Sequence, residues 1–219
     1  RKESSAASDV YKRQQLHWSS QLRPDVGVLL NLAEDHLDWH GSFDAYAQAK
    51  AKVLDGQAAV VGKDDAAAVR YAENTANLYG FTAVEPAEGE VGVSAGRLLS
   101  RLTQEREDLA SAEGIEPAGL AGVLDAAAAA SVARLAGASP RSIAQGLAAY
   151  TVAGHRGAVI HEHSGISFID NSKATNPHAA DAALKGLNSV VWIAGGQLKG
   201  AEVDGLVACL LYTSPSPRD

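Results

Sequence analysis

The sequence contains no methionine, a single cysteine and no long apolar run. The one cysteine, Cys209, excludes an internal disulfide framework and is typical of a reducing compartment. The Ala-rich run Ala126–Ala130 is far shorter than the roughly 18 apolar residues of a membrane-spanning helix, so we expect no membrane partner. Because an initiator methionine is also missing, we expect the sequence to be a piece of a longer chain.

The charge balance is acidic, with 26 Asp and Glu residues against 19 Lys and Arg residues and a formal net charge of −7. This balance argues against general binding of nucleic acid. It is compatible with a nucleotide ligand, which needs only local positive charge. A composition of 46% hydrophobic and 21% charged residues is typical of a globular protein. A length of 219 residues is sufficient for one large or two small domains.

Both ends of the sequence differ in character from the rest. The segments SDVYKRQ (8–14) and CLLYTSPSPRD (209–219) resemble translated linker sequence. We therefore expect residues 1–14 and 209–219 to be foreign tails, and we base the interpretation on residues 15–208.

Between residues 26 and 150, short apolar runs alternate with segments of helical spacing. Residues 26–32 (VGVLLNL) are almost wholly apolar and follow a turn, which predicts a strand buried on both faces. Ser42 is a suitable N-cap for the helix that follows. The remaining predicted elements are strands at 57–62 and 77–82, a hairpin or meander within 90–111, and helices at 43–54, 63–74, 122–136 and 139–150. This alternation predicts an α/β domain.

The pattern is interrupted at residues 151–157, which we interpret as a domain boundary. A hairpin is predicted from 158–161 and 166–170, followed by a helix from Asn176 to about Leu187. Residues 189–194 (SVVWIA) predict a further buried strand, and another helix is predicted to begin near Glu202. These elements indicate the start of a second α/β domain.

A first candidate site follows the strand at 26–32. Three carboxylates and two histidines, which are Glu34, Asp35, His36, Asp38 and His40, occur within seven residues there. Open α/β sheets bind their ligands at the carboxyl ends of strands. Carboxylates suit magnesium, whereas the spacing His36-x-Asp38-x-His40 also suits a zinc or two-metal hydrolase. The segment alone leaves both possibilities open.

Lys50 lies in the middle of an otherwise apolar helix face that includes Phe43, Tyr46 and Leu54. A lysine in this position usually extends its ammonium group to the surface. If the amine stays buried, its pKa falls and the neutral amine becomes nucleophilic. Such an amine is able to react with carbon dioxide to form a carbamate, which is an anionic metal ligand.

Two later segments have the composition of anion-binding sites. Residues 170–176 (DNSKATN) lead into a helix and combine Ser, Thr and Asn side chains with the charge of Lys173. Residues 195–200 (GGQLKG) combine two glycines with Lys199 after a predicted strand. Arg156 lies in the boundary loop, where its charge suits a phosphate. Each of these features is also compatible with a solvated turn or surface side chain.

Taken together, the segments QLHWS, LRPDVGVLLNLAEDHLDWHGS, YAQAK, GHR, DNSKATNPHAA and AGGQLKGA resemble the Mur ligases in order and spacing. The resemblance covers nearly all of residues 15–208. It implies a P-loop-type central ATPase domain over 15–153, truncated at its N-terminus, and the start of a Rossmann-like C-terminal domain over 154–208.

The activity implied by this resemblance is that of an ATP- and magnesium-dependent ligase of peptidoglycan synthesis. Its pattern is most similar to members that add D-glutamate to UDP-N-acetylmuramoyl-L-alanine through an acyl phosphate. The resemblance also implies small-molecule substrates only, a bacterial cytoplasmic location and a monomer.

The resemblance implies catalytic roles for three residues, which are His36, Lys50 and Lys173. His36 corresponds to a magnesium-binding histidine, and Lys50 corresponds to a carbamylated lysine that supports the same metal. Lys173, Thr175 and Lys199 correspond to positions around D-glutamate and the transferred phosphate.

For ATP, the resemblance implies contacts by Asp125, Arg156, Asp170 and Asn171. Arg156 corresponds to an arginine that reaches the phosphates, and Asp170 and Asn171 fall where the family contacts the ribose. Asp125 falls where relatives often have an asparagine that contacts adenine.

A phosphate-binding loop is missing from the sequence, because the Gly62-Lys63 pair is followed by Asp64 and not by Ser or Thr. We therefore expect the 219-residue polypeptide itself to have no ligase activity. Three alternatives remain: another Mur ligase or a folylpolyglutamate synthase-like ligase, a metallohydrolase that uses His36, Asp38 and His40, and a nucleotide-binding module without turnover.

Overall fold

The computed structural model describes residues 13–174, 176–185, 187, 189–195 and 203–213. Its main feature is a six-stranded sheet whose spatial order follows the chain. The strands are β1 (Val26–Leu29), β2 (Ala58–Gly62), β3 (Leu78–Phe81), β4 (Glu90–Ser94), β5 (Arg97–Ser100) and β6 (Glu107–Ser111). β1 to β4 are mutually parallel, and β4 to β6 form an antiparallel meander. The predicted α/β fold is confirmed.

Helices lie on both faces of the sheet, and those between β1 and β3 connect parallel strands. They are α1 (Arg13–Trp18), α2 (Leu37–His40), α3 (Phe43–Ala51), α4 (Ala66–Ala72), α5 (Leu120–Leu135) and α6 (Pro140–Ala149), with a 3-10 turn at Lys52–Leu54. Several begin at a side-chain cap that the sequence shows directly. Ser42 accepts a hydrogen bond from the backbone N–H of Ala45, and Ser139 accepts one from that of Ser142.

The core consists of two apolar clusters, one on each face of the sheet. Val60 belongs to the cluster beneath α5, whereas Ala59 and Val61 belong to the cluster beneath α3 and α4. Successive side chains of a strand point to opposite faces, so β2 contributes to both clusters and is buried on both sides. This explains why residues 58–61 are uninterruptedly apolar.

A smaller unit follows the sheet. It contains an antiparallel hairpin of β7 (Ala158–His163) and β8 (Ile166–Asp170), helix α7 (Pro177–Leu184) and helix α8 (Asp204–Thr213). α7 contacts α5, so the two parts of the chain are packed together. The assignment of 15–153 and 154–208 to separate domains stays a prediction. Within the described ranges, no helix has both the length and the apolarity to cross a membrane.

One predicted element is wrong in the structure. Residues 189–194 form no strand, and Val191 and Ile193 are 89% and 93% exposed. An apolar run becomes a buried strand only where neighbouring strands accept its backbone hydrogen bonds. In the part of the chain that the structure describes, β7 and β8 pair only with each other. The last helix begins at Asp204, close to the predicted start near Glu202, which itself lies outside the described residues.

Candidate functional site

The first candidate site lies beyond the end of β1, on the loop that leads into α2. His36 precedes α2 in a left-handed backbone conformation with φ of 54°. Its Nε2 lies 3.4 Å from Oδ2 of Asp35, and both side chains are about half exposed. The backbone N–H of Leu32 donates to Oδ2 of Asp65 across 3.4 Å. Since Asp65 also caps α4, this contact holds the loop against the start of that helix.

Lys50 extends from the last turn of α3 toward the same loop. Burial lowers the pKa of its amine, and the nearby charges of Asp35 and Asp65 act in the opposite direction. The amine donates a hydrogen bond to the hydroxyl oxygen of Tyr46 across 3.4 Å. The Lys50 amine thus stays partly buried and does not extend fully to the surface. A larger neutral fraction makes this amine a better nucleophile than a solvated lysine.

The geometry gives the metallohydrolase alternative no support. The ring of His40 packs against the rings of Tyr46 and Trp39, as part of an aromatic cluster. Among the residues that the structure describes, no group of three or more His, Cys, Asp or Glu side chains is arranged to hold a metal ion. His36, Asp38 and His40 are thus close in sequence but do not form a three-ligand set.

At the first site a magnesium ion would need fewer protein ligands than a zinc ion. Asp35 contacts His36 and attracts the Lys50 ammonium, so the three groups lie at the same end of the sheet. Magnesium keeps several of its waters and needs only one or two protein oxygens. A carbamate on Lys50 would supply such an oxygen, with His36 as the second ligand and Asp35 beside it.

The second candidate site joins the loop before β7 to the loop after β8. Nδ1 of His155 lies 2.7 Å from Oδ2 of Asp170. The backbone N–H of Ser172 donates to Oδ1 of Asp170, and that of Lys173 donates to the carbonyl oxygen of His155. These contacts bring together the predicted ATP residues Arg156, Asp170 and Asn171, with Lys173 adjacent.

The carboxylate of Asp170 is stabilised in its charged form. The hydrogen bond from the Ser172 backbone, followed by that with His155, lowers its pKa. Sequence reasoning missed His155, although it lies directly before Arg156 in the quoted GHR segment. Its imidazole next to an Arg was a visible signal, but only the folded chain shows that it meets a carboxylate fifteen positions later.

Asp125 lies on α5 in the wall of a largely apolar cavity of about 420 Å³ between α5 and α6. Partial desolvation at the cavity wall raises the pKa of its carboxyl group. Gly157, in the loop before β7, lies next to Pro117 of the cavity wall, since a Cβ atom on Gly157 would lie 2.9 Å from Cβ of Pro117.

Two predicted substrate-binding residues, Thr175 and Lys199, lie outside the described residues. Their proposed contacts stay predictions from the sequence.

Residues 8–98 match the Mur ligase middle domain. The chain is also similar to named ligases over most of its length. It is 55% identical to UDP-N-acetylmuramoylalanine–D-glutamate ligase of Corynebacterium diphtheriae over 199 residues, which are 88% of this chain and 42% of that protein. It is 51% identical to the protein of the same name from Mycolicibacterium smegmatis, over 88% of this chain and 40% of that one. The chain thus spans about two fifths of the length of these relatives.

Solved structures show the same fold at lower identity. MurF from Acinetobacter baumannii superposes with a TM-score of 0.58 at 22% identity, over 73% of this chain and 36% of that one. A point mutant of FPGS from L. casei superposes with a TM-score of 0.56 at 22% identity, over 91% of this chain and 52% of that one. These two similarities establish the fold and nothing further.

Proposed function

Since the chain belongs to the Mur ligase family, we propose that it is part of an ATP-dependent amide ligase that adds D-glutamate to UDP-N-acetylmuramoyl-L-alanine in peptidoglycan synthesis. The observation that carries the proposal on the structural side is the partly buried Lys50 next to Asp35 and His36. The identity of the named relatives supports D-glutamate as the added amino acid. We also propose a monomer in the bacterial cytoplasm.

The proposed reaction has two steps. The substrate carboxylate first takes the terminal phosphoryl group of ATP, which forms an acyl phosphate and releases ADP. The amine of D-glutamate then attacks the acyl carbon, loses a proton and displaces inorganic phosphate. Both steps build negative charge on phosphoryl oxygens, so positive groups that are already in place lower the barrier.

The first site supplies part of this charge stabilisation. Lys50 as a carbamate would present anionic oxygens, and His36 would present an imidazole nitrogen, to a magnesium ion that would neutralise phosphate charge. Asp35 contacts the His36 ring and keeps it close to the loop. The predicted reason for burying Lys50 is therefore chemical: a low pKa leaves the amine free to take up carbon dioxide.

The second site holds the nucleotide in the proposed complex. Arg156 neutralises phosphate oxygens, Asp170 and Asn171 receive ribose hydroxyls, and Asp125 contacts adenine. Lys173 adjoins the transferred phosphate, and Thr175 and Lys199 contact D-glutamate. The short backbone links among residues 155, 157, 170 and 173 support this placement for the groups that the structure describes.

The decisive experiment is ADP release by a full-length ligase that carries this sequence. We expect release to require UDP-N-acetylmuramoyl-L-alanine and D-glutamate together, and to be lost in Lys50→Ala. Lys52→Ala, two positions later, is the matched control and should keep its activity. Release that depends on L-glutamate and a folate would instead indicate a folylpolyglutamate synthase, and hydrolysis without ATP would indicate a hydrolase. The 219-residue chain alone should show no amide formation.

A further inference from the structure

His155 belongs to the second site, yet the family resemblance assigns no role to it. Its Nδ1 lies 2.7 Å from Oδ2 of Asp170, at a distance typical of a hydrogen bond to a charged group. The Asp170 side chain is three-quarters covered, whereas that of His155 is 60% exposed. The histidine therefore covers one side of the carboxylate and leaves the rest of it accessible.

The hydrogen bonds of Asp170 use part of its accepting capacity. Oδ1 receives the backbone N–H of Ser172, Oδ2 receives His155, and the Ser172 hydroxyl is a third donor beside the carboxylate. An ionised carboxylate has about four lone-pair positions, so capacity remains for a ligand hydroxyl group. A ribose hydroxyl of a nucleotide matches this remaining capacity.

The contact also defines the tautomer of His155. Because Asp170 is ionised and accepts only, the proton of a neutral His155 must be on Nδ1. Nε2 is then a bare acceptor on the exposed side of the ring. A histidine in this state holds the carboxylate through a single donor, Nδ1.

The backbone of this loop is arranged to present the ring. His155 has φ of 66°, in the left-handed region that only glycine and a few polar residues adopt readily. Its carbonyl oxygen accepts from the N–H of Lys173, while the N–H of Gly157 donates to the carbonyl oxygen of Asp170. The histidine is therefore fixed at both its backbone and its side chain.

We propose that His155 is a positioning residue, which holds the carboxylate of Asp170 in the orientation that receives a ribose hydroxyl of ATP. This proposal rests on the proposed function for its ligand and assigns no direct contact with the reacting atoms to His155. It predicts that removing the ring weakens nucleotide binding and, above all, the preference for a complete ribose.

The test compares ATP with 2′-deoxy-ATP in a full-length ligase that carries this sequence. His155→Gly removes the ring and tolerates the positive φ, so it avoids the backbone strain that alanine would add. We expect the KM for ATP to rise about tenfold, which corresponds to loss of a hydrogen bond to a charged group. We expect kcat to change little and the ATP preference over 2′-deoxy-ATP to decrease.

Two further variants separate positioning from general damage. His155→Asn keeps a side-chain donor close to the place of Nδ1 and also tolerates a left-handed backbone, so it should restore the preference. His163→Ala removes an exposed histidine at the far end of β7 and should behave like wild type. An unchanged ATP preference in His155→Gly, or a fall in kcat alone, would overturn the proposal.

A titration of the 219-residue chain separates this proposal from the proposed function. NMR of the Asp170 carboxyl carbon should show its pKa below the usual range in wild type and closer to that range in His155→Gly. If the full-length protein does not consume ATP, the proposed function fails, and the ribose role of Asp170 fails with it. If it consumes ATP but the titration of Asp170 is the same in both proteins, only the role of His155 is wrong.

Discussion

The amine nitrogen of Lys50 lies 3.4 Å from the hydroxyl oxygen of Tyr46 and 5.3 Å from the centre of its ring. Tyr46 precedes Lys50 by one helical turn on α3 and is itself buried. A positive charge is attracted to both the ring face and the hydroxyl group. Tyr46 therefore retains the amine against the protein, where a lysine on an exposed helix would extend into water.

Replacement of Lys50 by methionine should stabilise the protein at neutral pH. The folded-state pKa of Lys50 is lowered, so burial penalises the charged amine at every pH below that value. The penalty disappears as the pH rises toward the ordinary lysine pKa of about 10.4. We expect Lys50→Met to gain up to about 1 kcal/mol in urea unfolding at neutral pH, and less at a pH close to that ordinary value.

Lys52→Met is the matched control for this prediction. The Lys52 amine donates to the carbonyl oxygens of His17 and Ser19, so its replacement removes contacts without relieving burial. It should reduce the stability slightly. A lower stability of Lys50→Met than of wild type at neutral pH would contradict the argument.

Arg134 and Glu107 should contribute more to stability than the similar pair Arg97 and Asp108. Each arginine makes a bidentate pair of hydrogen bonds with its carboxylate. The donor–acceptor distances from Arg134 to Glu107 are 2.8 and 2.9 Å. The first pair joins α5 to β6 and is about four-fifths covered, whereas the second is half exposed. We expect Arg134→Ala to cost about 1–2 kcal/mol in urea unfolding, and Arg97→Ala to have no measurable effect because solvent screens an exposed pair.

The contribution of Glu107 to the free energy of unfolding should also depend on pH. The hydrogen bond from Arg134 lowers its pKa, so the stabilisation is complete above the ordinary glutamate pKa of about 4.3. It is lost as the pH falls through the lower, folded-state value. The stability difference between wild type and Arg134→Ala should therefore decrease in strongly acidic solution, and an equal difference in neutral and strongly acidic solution would contradict it.

Replacement of Asp125 by asparagine should raise the melting temperature at neutral pH. Desolvation raises the folded-state pKa of Asp125, so the folded protein binds this proton more tightly than the unfolded chain. The contribution of Asp125 to the free energy of unfolding is favourable below the ordinary aspartate pKa of about 3.9. It is lost as the pH rises through the folded-state pKa of Asp125. The melting temperature of Asp125→Asn should thus be slightly but measurably higher than that of wild type at neutral pH. Below the ordinary aspartate pKa the two melting temperatures should be equal.

Asp55→Asn is a suitable control for Asp125→Asn, because Asp55 is exposed beyond the end of the 3-10 turn. Its melting temperature should equal that of wild type at both pH values. A gain of the same size in both variants would point to net charge and not to the cavity.

Two glycine-to-alanine substitutions should have opposite effects on the free energy of unfolding. A Cβ atom on Gly122 would lie 1.7 Å from the carbonyl oxygen of Pro117, which belongs to the backbone and has little freedom to move. We expect Gly122→Ala to cost about 2–3 kcal/mol or more. Gly146 lies in the middle of α6, and no atom is near a methyl group added there. Gly146→Ala should therefore increase the free energy of unfolding by about 1 kcal/mol.

Thermal and urea unfolding of both variants and of wild type check these values. If Gly122→Ala were as stable as wild type, the close packing of α5 on residues 115–117 would be wrong.

Much of the fold could be predicted from local signals. Ser42 and Ser139 mark helix starts because their side chains replace missing backbone partners, and the apolar run of β2 requires cover on both faces. The run at 189–194 has a similar composition but forms no strand. Its outcome depends on which other strands are beside it, and that information is not local.

The candidate sites divide in the same way. Lys50 could be identified from the sequence, because a charge at an apolar helix position conflicts with the 3.6-residue period. His155 could not, because its significance depends on a carboxylate fifteen residues away that the turn at Ser164-Gly165 brings back beside it.

By itself, the sequence determined the alternation of strands and helices, the helix caps, the place of Lys50 on an apolar helix face and the kinship with the Mur ligases. These properties follow from periodicity, capping chemistry and motif order, which act over a few residues or are read directly from the chain. Only the tertiary structure decided that His36, Asp38 and His40 do not form a three-ligand metal set, and that Tyr46 retains the amine of Lys50. Such contacts depend on where the backbone places side chains in space, since a difference of a few ångströms separates a bound group from a solvated one.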